Sequence, residues 1–204
     1  LGTPHIVWDY RDKNGNLLFR TCRFIIPQND GKVKKEDRPL SYRQYANGQK
    51  RWAWTGLDKP RPLYGLDRLA QKPEATVIIC EGEKSTDAAT RLFPDYVAIT
   101  SPNGAGSAHH ADWKPLTGKT IIIWRDNDPE GETYAQSVAR AVKKIGCKSV
   151  SIVPIPEEFP IKWDLADTPP EGWTKEQIIN LLDDAIPVID PLENLIERCA
   201  QDVG

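Results

Sequence analysis

The sequence predicts an α/β protein in which a mainly parallel sheet flanked by helices is preceded by a small antiparallel, β-rich subdomain. From residue 75 onward, short buried apolar runs alternate with helical segments, which is the pattern of β-α-β units. Before residue 75, apolar and aromatic stretches are separated by Asn-Gly and Asp-Gly dipeptides, which favour hairpin turns. The charge balance changes at the same place, because residues 1–75 carry 15 Lys and Arg against 8 Asp and Glu, whereas residues 76–204 carry 12 against 21.

The first 60 residues contain the expected antiparallel sheet. Strands are predicted over residues 6–10, 17–26 and 50–54, where apolar and aromatic residues are dense. Residues 31–43 are rich in charge and are predicted to form a mobile loop. Turns are predicted at Asn14-Gly15, Asp30-Gly31 and Asn47-Gly48.

A proline-rich stretch, residues 59–62, follows the antiparallel sheet and leads into a short predicted helix, and Pro73 closes the region. The chain is therefore expected to have three parts. They are a small basic subdomain over residues 1–74, the main α/β domain over residues 75–187 and a helical tail or linker over residues 188–204.

Four strands and two helices stand out in the main domain. One helix ends before Gly146, a residue suited to a C-terminal cap, and the other begins at a capping box formed by Thr174 and Gln177. Their apolar stripes are Tyr134, Val138, Ala141, Val142 and Ile145 in the first, and Ile178, Leu181, Leu182 and Ala185 in the second. The predicted strands are the apolar runs 76–80, 96–100, 120–124 and 149–153.

Composition excludes several classes of protein. With 204 residues, 39% hydrophobic residues and a mean hydropathy of −0.52, the chain is expected to be a globular cytoplasmic protein without a membrane segment. Four cysteines far apart in sequence argue against a zinc ribbon or a disulfide framework. The chain begins at Leu1, contains no methionine and shows no targeting peptide, so a fragment of a longer polypeptide is expected.

Acidic residues follow two of the predicted parallel strands. Glu81 comes directly after the first strand, and Asp126 and Asp128 follow the third. The carboxyl ends of parallel strands meet at one edge of a sheet, where clustered carboxylates repel each other unless a cation neutralises them. Oxygen ligands of this kind suit Mg²⁺ or Mn²⁺. Taken alone, an Asp-x-Asp after a strand is more often an Asx turn or a helix N-cap than a metal ligand, and Glu-Gly-Glu also fits the start of a helix. Their joint placement favours a metal.

These motifs resemble the Toprim domain, a metal-binding catalytic fold shared by bacterial-type DNA primases, phage helicase-primases, topoisomerases, recombination mediators and certain nucleases. The resemblance covers residues 76 to about 185 and implies a Rossmann-like arrangement of the sheet. Its glutamate motif is Ile-Cys-Glu-Gly-Glu-Lys-Ser-Thr-Asp at 79–87, and its Asp-x-Asp motif is Ile-Trp-Arg-Asp-Asn-Asp-Pro-Glu-Gly at 123–131. Ser-Pro-Asn-Gly-Ala at 101–105 is similar to phage-type primases, and Lys-Trp-Asp-Leu-Ala-Asp at 162–167 resembles a primase segment after the fourth strand.

The resemblance implies roles for individual residues. Glu81 would be a metal-associated acid or base near the primer 3′-hydroxyl, and Asp126 and Asp128 would hold the Mg²⁺ that organises the incoming triphosphate. Asp164 would complete the metal site. Phosphate or nucleotide contacts would come from Lys84, Asn103, Gly104 and Lys162, although exposed lysines on a solvated face are an equal alternative.

Two positions around the Asp-x-Asp motif distinguish branches of the family. Glu130 stands where topoisomerases typically carry a third aspartate, and Gly131 is frequent in primases, so the primase branch is favoured. Many primases place a basic residue after that glycine, whereas this chain has Glu132.

The basic front region is expected to bind single-stranded nucleic acid, since cations neutralise phosphates and aromatic side chains stack on bases. Trp52 and Trp54 would share one strand face. The alternative is that the aromatic residues form a packed core and the lysines are merely solvated. The expected contacts are Lys34, Lys35, Arg43, Lys50, Arg51, Trp52 and Trp54.

Three functional hypotheses follow. The first is the catalytic core of a DNA primase from a phage, plasmid or integrated element, which uses single-stranded DNA, nucleoside triphosphates and a helicase or other replication domain in the full-length protein. The second is a Toprim nuclease, which shortens its substrate without nucleotides. The third is a non-catalytic replication module that binds single-stranded DNA.

Overall fold

Four antiparallel strands form the first sheet, in the order β1-β2-β3-β4, and the computed structural model describes residues 2–189. The three predicted hairpin turns are confirmed, because Gly15, Gly31 and Gly48 lie at φ values of 83°, 79° and 80°. The strands are β1 (Ile6–Arg11), β2 (Leu17–Pro27), β3 (Val33–Gln44) and β4 (Lys50–Ala53).

The prediction of a mobile loop over residues 31–43 is wrong, because β3 occupies nearly all of it and pairs with β2 from Ser41 to Val33. Most charged side chains of this strand have charge partners. Lys34 and Arg38 both contact Glu36, at 3.1 and 2.5 Å. Backbone hydrogen bonds and neighbouring charge pairs therefore hold a strand that buries little apolar surface.

The second sheet has five strands in the order β6-β5-β7-β8-β9. Its first four strands in chain order are parallel, and the short last one pairs antiparallel at the edge. All four predicted strands of the main domain are confirmed. Their bounds, with the edge strand, are β5 (Val77–Cys80), β6 (Val97–Ile99), β7 (Thr120–Trp124), β8 (Ser149–Ile152) and β9 (Ile186–Pro187).

Helices cover both faces of the parallel sheet, as the strand pattern predicts. Val77 and Ile79 of β5 pack on one face, whereas Ile78 and Cys80 pack on the other. The helix predicted before Gly146 is confirmed, and Thr174 forms the expected capping box of the other helix. That second helix is shorter than predicted, because it ends at Asn180 and its apolar stripe continues through turns over residues 181–184. The α-helices are α1 (Leu66–Gln71), α2 (Glu83–Leu92), α3 (Pro129–Lys144) and α4 (Lys175–Asn180), and shorter 3-10 helices cover Ala105–His110 and Lys114–Leu116.

The antiparallel sheet packs its inner face against Tyr64 and helix α2. We define the inner face by the alternate residues of β2 that include Phe19, Thr21 and Arg23, and the outer face by the other set. Trp8, Tyr10 and Phe19 form a buried cluster on the inner face.

No helix within residues 2–189 is long and apolar enough to cross a membrane. Of the predicted tail over residues 188–204, residues 190–204 lie outside the described part of the chain.

Candidate active site

A crevice of about 470 Å³ lies between the carboxyl edge of the parallel sheet and the inner face of the antiparallel sheet. Six residues predicted for the site line it: Glu81, Lys84, Asn103, Gly104, Asp126 and Asp164. The antiparallel sheet contributes four lining residues that the sequence analysis missed: Thr21, Arg23, Pro39 and Asp37. The crevice is therefore built from both sheets.

Glu81 and Asp126 lie at the ends of neighbouring strands, since Cys80 of β5 pairs with Trp124 of β7. Burial, with the nearby charge of Asp128, raises the pKa of Glu81 to about 7. Burial, with the charge of Glu81, raises the pKa of Asp126 to about 8. Two adjacent carboxyl groups thus share an environment that opposes ionisation of both.

The chemistry of this acidic edge fits a divalent cation. Glu81 Oε2 is buried and has no hydrogen-bond partner among the described residues. A hard cation such as Mg²⁺ would satisfy that oxygen and offset the repulsion with Asp126. As the side chains stand, no three His, Cys, Asp or Glu side chains within residues 2–189 form a group that could hold a metal ion.

Asp128 is held by the helix that follows it. Its Oδ1 accepts a hydrogen bond of 2.7 Å from the backbone N–H of Gly131, so it is the N-cap of α3. The glycine is required at this position, because a Cβ there would overlap the carbonyl oxygen of Asp126. Asp128 does not line the crevice in this arrangement.

Of the two predicted phosphate-binding lysines, one lies in the crevice and one does not. Lys84 Nζ lies 3.3 Å from Asp164 Oδ2 and 2.9 Å from Asp167 Oδ1, so it neutralises two carboxylates. Lys162 is exposed, does not line the crevice and has a positive φ of 67°.

Asn127, the middle residue of the Asp-x-Asp motif, connects the two acidic loops. Its Nδ2 donates to the carbonyl oxygens of Phe159 at 2.9 Å and Pro160 at 3.2 Å. Its backbone N–H donates to the Trp163 carbonyl and its own carbonyl accepts from Lys162. These bonds fix the loop that brings Asp164 to the crevice. No role for Asn127 was predicted from the sequence.

The glycine-containing loop after β6 reaches the crevice through a pair of left-handed residues. Asn103 and Gly104 have φ values of 71° and 67°. The start of the loop is held by Ser101, whose hydroxyl lies 3.1 Å from the hydroxyl of Tyr134. The Tyr134 hydroxyl is also within 3.1 Å of the Cys80 carbonyl, so this loop is anchored to the strand before Glu81.

Two acidic residues of the first motif join the sheets. Trp8 Nε1 and the Tyr64 hydroxyl each donate a 2.9 Å hydrogen bond to Asp87. The Tyr10 hydroxyl donates to Glu83, which is only 5% exposed. Helix α2 is thereby attached to β1, which sets the distance across the crevice.

Arg23 reaches the crevice from β2. Its Nε and Nη2 donate to the two carboxylate oxygens of Asp37 at 2.8 and 2.7 Å, and its guanidinium lies 4.9 Å from the Trp8 ring centroid. Strand alternation with Phe19 and Thr21 is the signal that could have placed this residue on the inner face.

The seven residues predicted to bind nucleic acid divide between the two faces of the antiparallel sheet. The register places Lys34, Lys50 and Trp52 on the outer face and Lys35, Arg43 and Arg51 on the inner face. Trp54 packs edge-on against Phe24 of the outer face, with ring centroids 5.6 Å apart.

Three aromatic side chains of the outer face are exposed, whereas Phe24 of the same face is buried. Trp52 is 43% exposed and Trp54 is 51% exposed, and Tyr42 lies beside Trp52 with ring centroids 5.5 Å apart. Tyr42, Trp52 and Trp54 form a surface patch, so the alternative of a packed aromatic core describes Phe24 but not these three side chains.

Glu132 forms an ion pair with Arg125 outside the crevice. Arg125 Nε lies 3.0 Å from Glu132 Oε2, and neither residue lines the crevice. Glu132 thus neutralises a neighbouring arginine.

The fold and the acidic crevice define a class: the chain has the fold of Toprim primase catalytic cores. No protein-family model and no curated protein sequence matches it. The Aquifex aeolicus primase, with zinc-binding and RNA polymerase domains, matches 97% of this chain and 43% of its own at 18% identity and a TM-score of 0.58.

Two further solved structures share the fold. The DnaG primase catalytic domain bound to ssDNA matches 89% of this chain and 53% of its own, at 16% identity and a TM-score of 0.55. A bacteriophage T7 assembly of lagging-strand DNA polymerase with primase domains bound to an RNA/DNA hybrid and dTTP contains a chain that matches 89% of this one and 78% of its own, at 18% identity and a TM-score of 0.53. The present chain spans about half the length of the Aquifex and DnaG chains.

Proposed function

We propose that this chain is the catalytic core of a DNA primase, a nucleotidyltransferase that makes RNA primers on single-stranded DNA with Mg²⁺ or Mn²⁺. The observation that carries this proposal is the half-buried pair of Glu81 and Asp126 at the carboxyl edge of a primase-like sheet, with the buried Oε2 of Glu81 unpartnered. Such a pair suits a cation and the phosphate groups that accompany it.

The acidic residues of the crevice and of the Asp-x-Asp motif would have two roles, cation binding and proton transfer. Asp126, Asp128 and Asp164 would hold the cation together with Glu81, and Asp128 would leave its cap on α3 to do so. When bound, the cation would neutralise the charge that develops on the triphosphate during transfer. Glu81, with its pKa raised to about 7 by burial, would exchange a proton with the primer 3′-hydroxyl.

Nucleotide contacts would come from the loop after β6. The left-handed backbone at Asn103 and Gly104 can present N–H groups to a phosphate oxygen. Lys84 would add a positive charge once the cation takes over the neutralisation of Asp164. Lys162, which is exposed outside the crevice, would contact phosphates further from the reacting atoms.

The basic subdomain over residues 1–74 would hold the template, beside the catalytic domain over residues 75–187. Exposed Trp52 and Trp54 would stack on unpaired bases, and Lys34 and Lys50 of the outer face would neutralise phosphates beside them. Lys35, Arg43 and Arg51 would neutralise phosphates on the inner face. A helicase or other replication domain of a phage, plasmid or integrated element would complete the full-length protein.

A primer-synthesis assay tests the proposal. The purified chain is incubated with single-stranded DNA, Mg²⁺ or Mn²⁺ and labelled ribonucleoside triphosphates, beside an Asp126→Ala/Asp128→Ala variant whose folding is checked by circular dichroism. We expect short labelled products on a denaturing gel that disappear in the variant. Template shortening that depends on the same aspartates would indicate a nuclease instead. DNA binding without chemistry, unchanged in the variant, would indicate a binding module.

A further inference from the structure

We propose that four basic side chains outside the crevice bind phosphate oxygens of the nucleic-acid strand that the crevice holds. We define the histidine cluster as Lys59, Arg61, His109 and His110. The inference deepens the proposed function and rests on it for the ligand, because a primase holds a strand that extends beyond the reacting atoms. None of these side chains lines the crevice, so the histidine cluster is a separate site.

Backbone hydrogen bonds hold the two segments of the histidine cluster side by side. The Arg61 N–H donates to the His110 carbonyl oxygen, and the Arg61 carbonyl oxygen accepts from the Asp112 N–H, each at 2.7 Å. His110 is the last residue of the 3-10 helix Ala105–His110, and Arg61 belongs to the proline-rich stretch that follows the antiparallel sheet. The histidine cluster therefore lies where that stretch pairs with the main domain.

The side chains of the histidine cluster approach each other closely. Lys59 Nζ lies 2.5 Å from His110 Nε2, and the rings of His109 and His110 have centroids 3.6 Å apart. The Arg61 guanidinium donates through Nε to the Leu57 carbonyl oxygen at 3.2 Å, whereas its Nη1 and Nη2 make no hydrogen bond within residues 2–189. Lys59 and His109 are exposed, so several N–H donors are available at one place on the surface.

The histidine cluster has no carboxylate partner. Within residues 2–189, none of its four members forms an ion pair. The acidic residues beside it in sequence contact other groups, because Asp58 lies 3.5 Å from Arg43 and Asp112 Oδ1 accepts a 3.2 Å hydrogen bond from the N–H of Lys114. A group of cations without a counter-charge attracts an anion, and phosphate oxygens are strong acceptors for such donors.

The environment of His110 favours the binding of an anion together with a proton. The charged groups that face it are His109 from its own helix and Lys59 and Arg61 from the proline-rich stretch. Burial, with the charges of these three groups, lowers the pKa of His110 below its ordinary value of 6.5. A phosphate group against the histidine cluster would offset those charges and raise the pKa again, so binding would be coupled to proton uptake.

The place of the histidine cluster favours a strand over a small anion. Gly104 lines the crevice and immediately precedes the 3-10 helix that ends at His110. The six residues of this helix span about 12 Å, at a rise of about 2 Å per residue. A ligand that contacts both ends needs phosphate groups along its length, as a nucleic-acid strand has. Arg43, which is predicted to bind nucleic acid, contacts Asp58 directly before the cluster.

The test compares Lys59→Gln and the double variant His109→Gln/His110→Gln with two controls. Lys148→Gln removes an exposed lysine just before β8, at the amino edge of the parallel sheet and away from the crevice. His5→Gln removes the remaining histidine of the chain, which is also exposed. Fluorescence anisotropy measures the affinity for a labelled 12-nucleotide single-stranded DNA with Mg²⁺, between 50 and 200 mM salt and between pH 6 and pH 8.

We expect Lys59→Gln to weaken DNA binding about 5-fold, the upper range for an exposed charge pair. The slope of log affinity against log salt concentration should become shallower by about 0.7, which corresponds to one lost phosphate contact on a single strand. Lys148→Gln should match the wild type in both quantities.

The double histidine variant should match the wild type at pH 8 and bind DNA about 5-fold more weakly at pH 6, because only protonated rings add positive charge. Glu81 and Asp126 also take up protons in this range, since their pKa values are about 7 and about 8. His5→Gln should keep the full pH dependence of the wild type, so the difference between the two variants isolates the histidine cluster.

Unchanged DNA affinity and salt slope in Lys59→Gln, with an unchanged pH dependence in the double histidine variant, would overturn the inference. Calorimetry with inorganic phosphate distinguishes the two sources of phosphate. If Lys59→Gln loses affinity for inorganic phosphate but not for DNA, the histidine cluster binds a free phosphate group and the assignment to a strand is overturned.

The primer-synthesis assay separates this inference from the proposed function. If the wild type makes primers and both cluster variants bind DNA as the wild type does, the inference fails and the function stands. If DNA binding depends on the histidine cluster but the wild type makes no primers, the inference stands and the function fails.

Discussion

The Tyr10 hydroxyl donates a 2.7 Å hydrogen bond to Glu83 Oε1, across the junction between β1 and α2. Tyr10 is 0% exposed and Glu83 is 5% exposed, so the bond lies in the interior. Burial raises the pKa of both groups. The two sheets are thus joined by a buried polar contact next to the crevice, and both walls of the candidate site depend on it.

Tyr10→Phe is expected to lower the free energy of unfolding by about 1–3 kcal/mol at pH 8, because it leaves a buried carboxylate without its donor. The pKa of Glu83 is higher in the folded state than its ordinary value of 4.5. The contribution of Glu83 to stability therefore falls as the pH rises from that ordinary value through the raised pKa. The loss should therefore be smaller at pH 5, where Glu83 gains protons. Urea denaturation at both pH values measures it.

Tyr42→Phe is the matched control, because Tyr42 is 54% exposed. It should change the free energy of unfolding by less than about 0.5 kcal/mol. Equal effects of the two substitutions on the free energy of unfolding would show that the hydrogen bond from Tyr10 to Glu83 stabilises the fold no more than an exposed hydroxyl does.

Asp126→Asn is expected to stabilise the protein in the absence of metal while abolishing its chemistry. Burial and the charge of Glu81 raise the pKa of Asp126 to about 8 from an ordinary value of 3.8. The folded state therefore holds this proton more tightly than the unfolded state, and the wild type loses stability between about pH 4 and pH 8. Thermal melts should show a larger gain for the variant at pH 8 than at pH 5.

Added Mg²⁺ should raise the melting temperature of the wild type at pH 8 and leave Asp126→Asn nearly unchanged, since ligand binding to the folded state stabilises it. The exposed residue Asp95 provides the control Asp95→Asn, which should respond to Mg²⁺ as the wild type does. If Mg²⁺ leaves the melting temperature of the wild type unchanged at pH 8, the proposed cation site is contradicted.

Asn127→Ala is expected to weaken Mn²⁺ binding about 10-fold although it removes none of the proposed ligands, the size of effect seen when groups that orient ligands are lost. The side chain bonds to the carbonyl oxygens of Phe159 and Pro160, and without it the loop that carries Asp164 loses its attachment to the Asp126 loop. Calorimetric Mn²⁺ titration measures the change. Asn180→Ala, at an exposed position of α4, should bind Mn²⁺ with wild-type affinity.

The parallel sheet was predictable from sequence because its strands are short, apolar and buried on both faces, as Val77 to Cys80 show. The convergence of Glu81 and Asp126 follows from topology, since both come after parallel strands. The strand β3 was not predictable in this way, because its support comes from pairing with β2 and from charge contacts such as Arg23 with Asp37. No periodicity of apolar residues marks such a strand.

The contribution of both sheets to the crevice could also not be predicted from the sequence. Arg23 is more than 50 residues from Glu81 in the chain, and its place opposite the carboxylates depends on tertiary contacts such as that between Tyr10 and Glu83. Asn127 was missed for a related reason. Its role lies in hydrogen bonds to backbone carbonyl groups more than 30 residues away, which have no residue-type signature.

Trp52→Ala is expected to weaken binding of single-stranded DNA about tenfold, because the exposed indole offers a stacking surface for an unpaired base. Trp52→Phe should retain most of the affinity, since a smaller ring still stacks. Ile161→Ala removes an apolar side chain that is even more exposed, at 80%, and lies outside the antiparallel sheet, so it should have no effect. Fluorescence anisotropy with a labelled oligonucleotide at 50 and 200 mM salt should show a steep salt dependence in every variant, because phosphate contacts remain. Wild-type affinity in Trp52→Ala would mean that nucleic acid is held by the inner face alone, along the path that leads past Arg23 into the crevice.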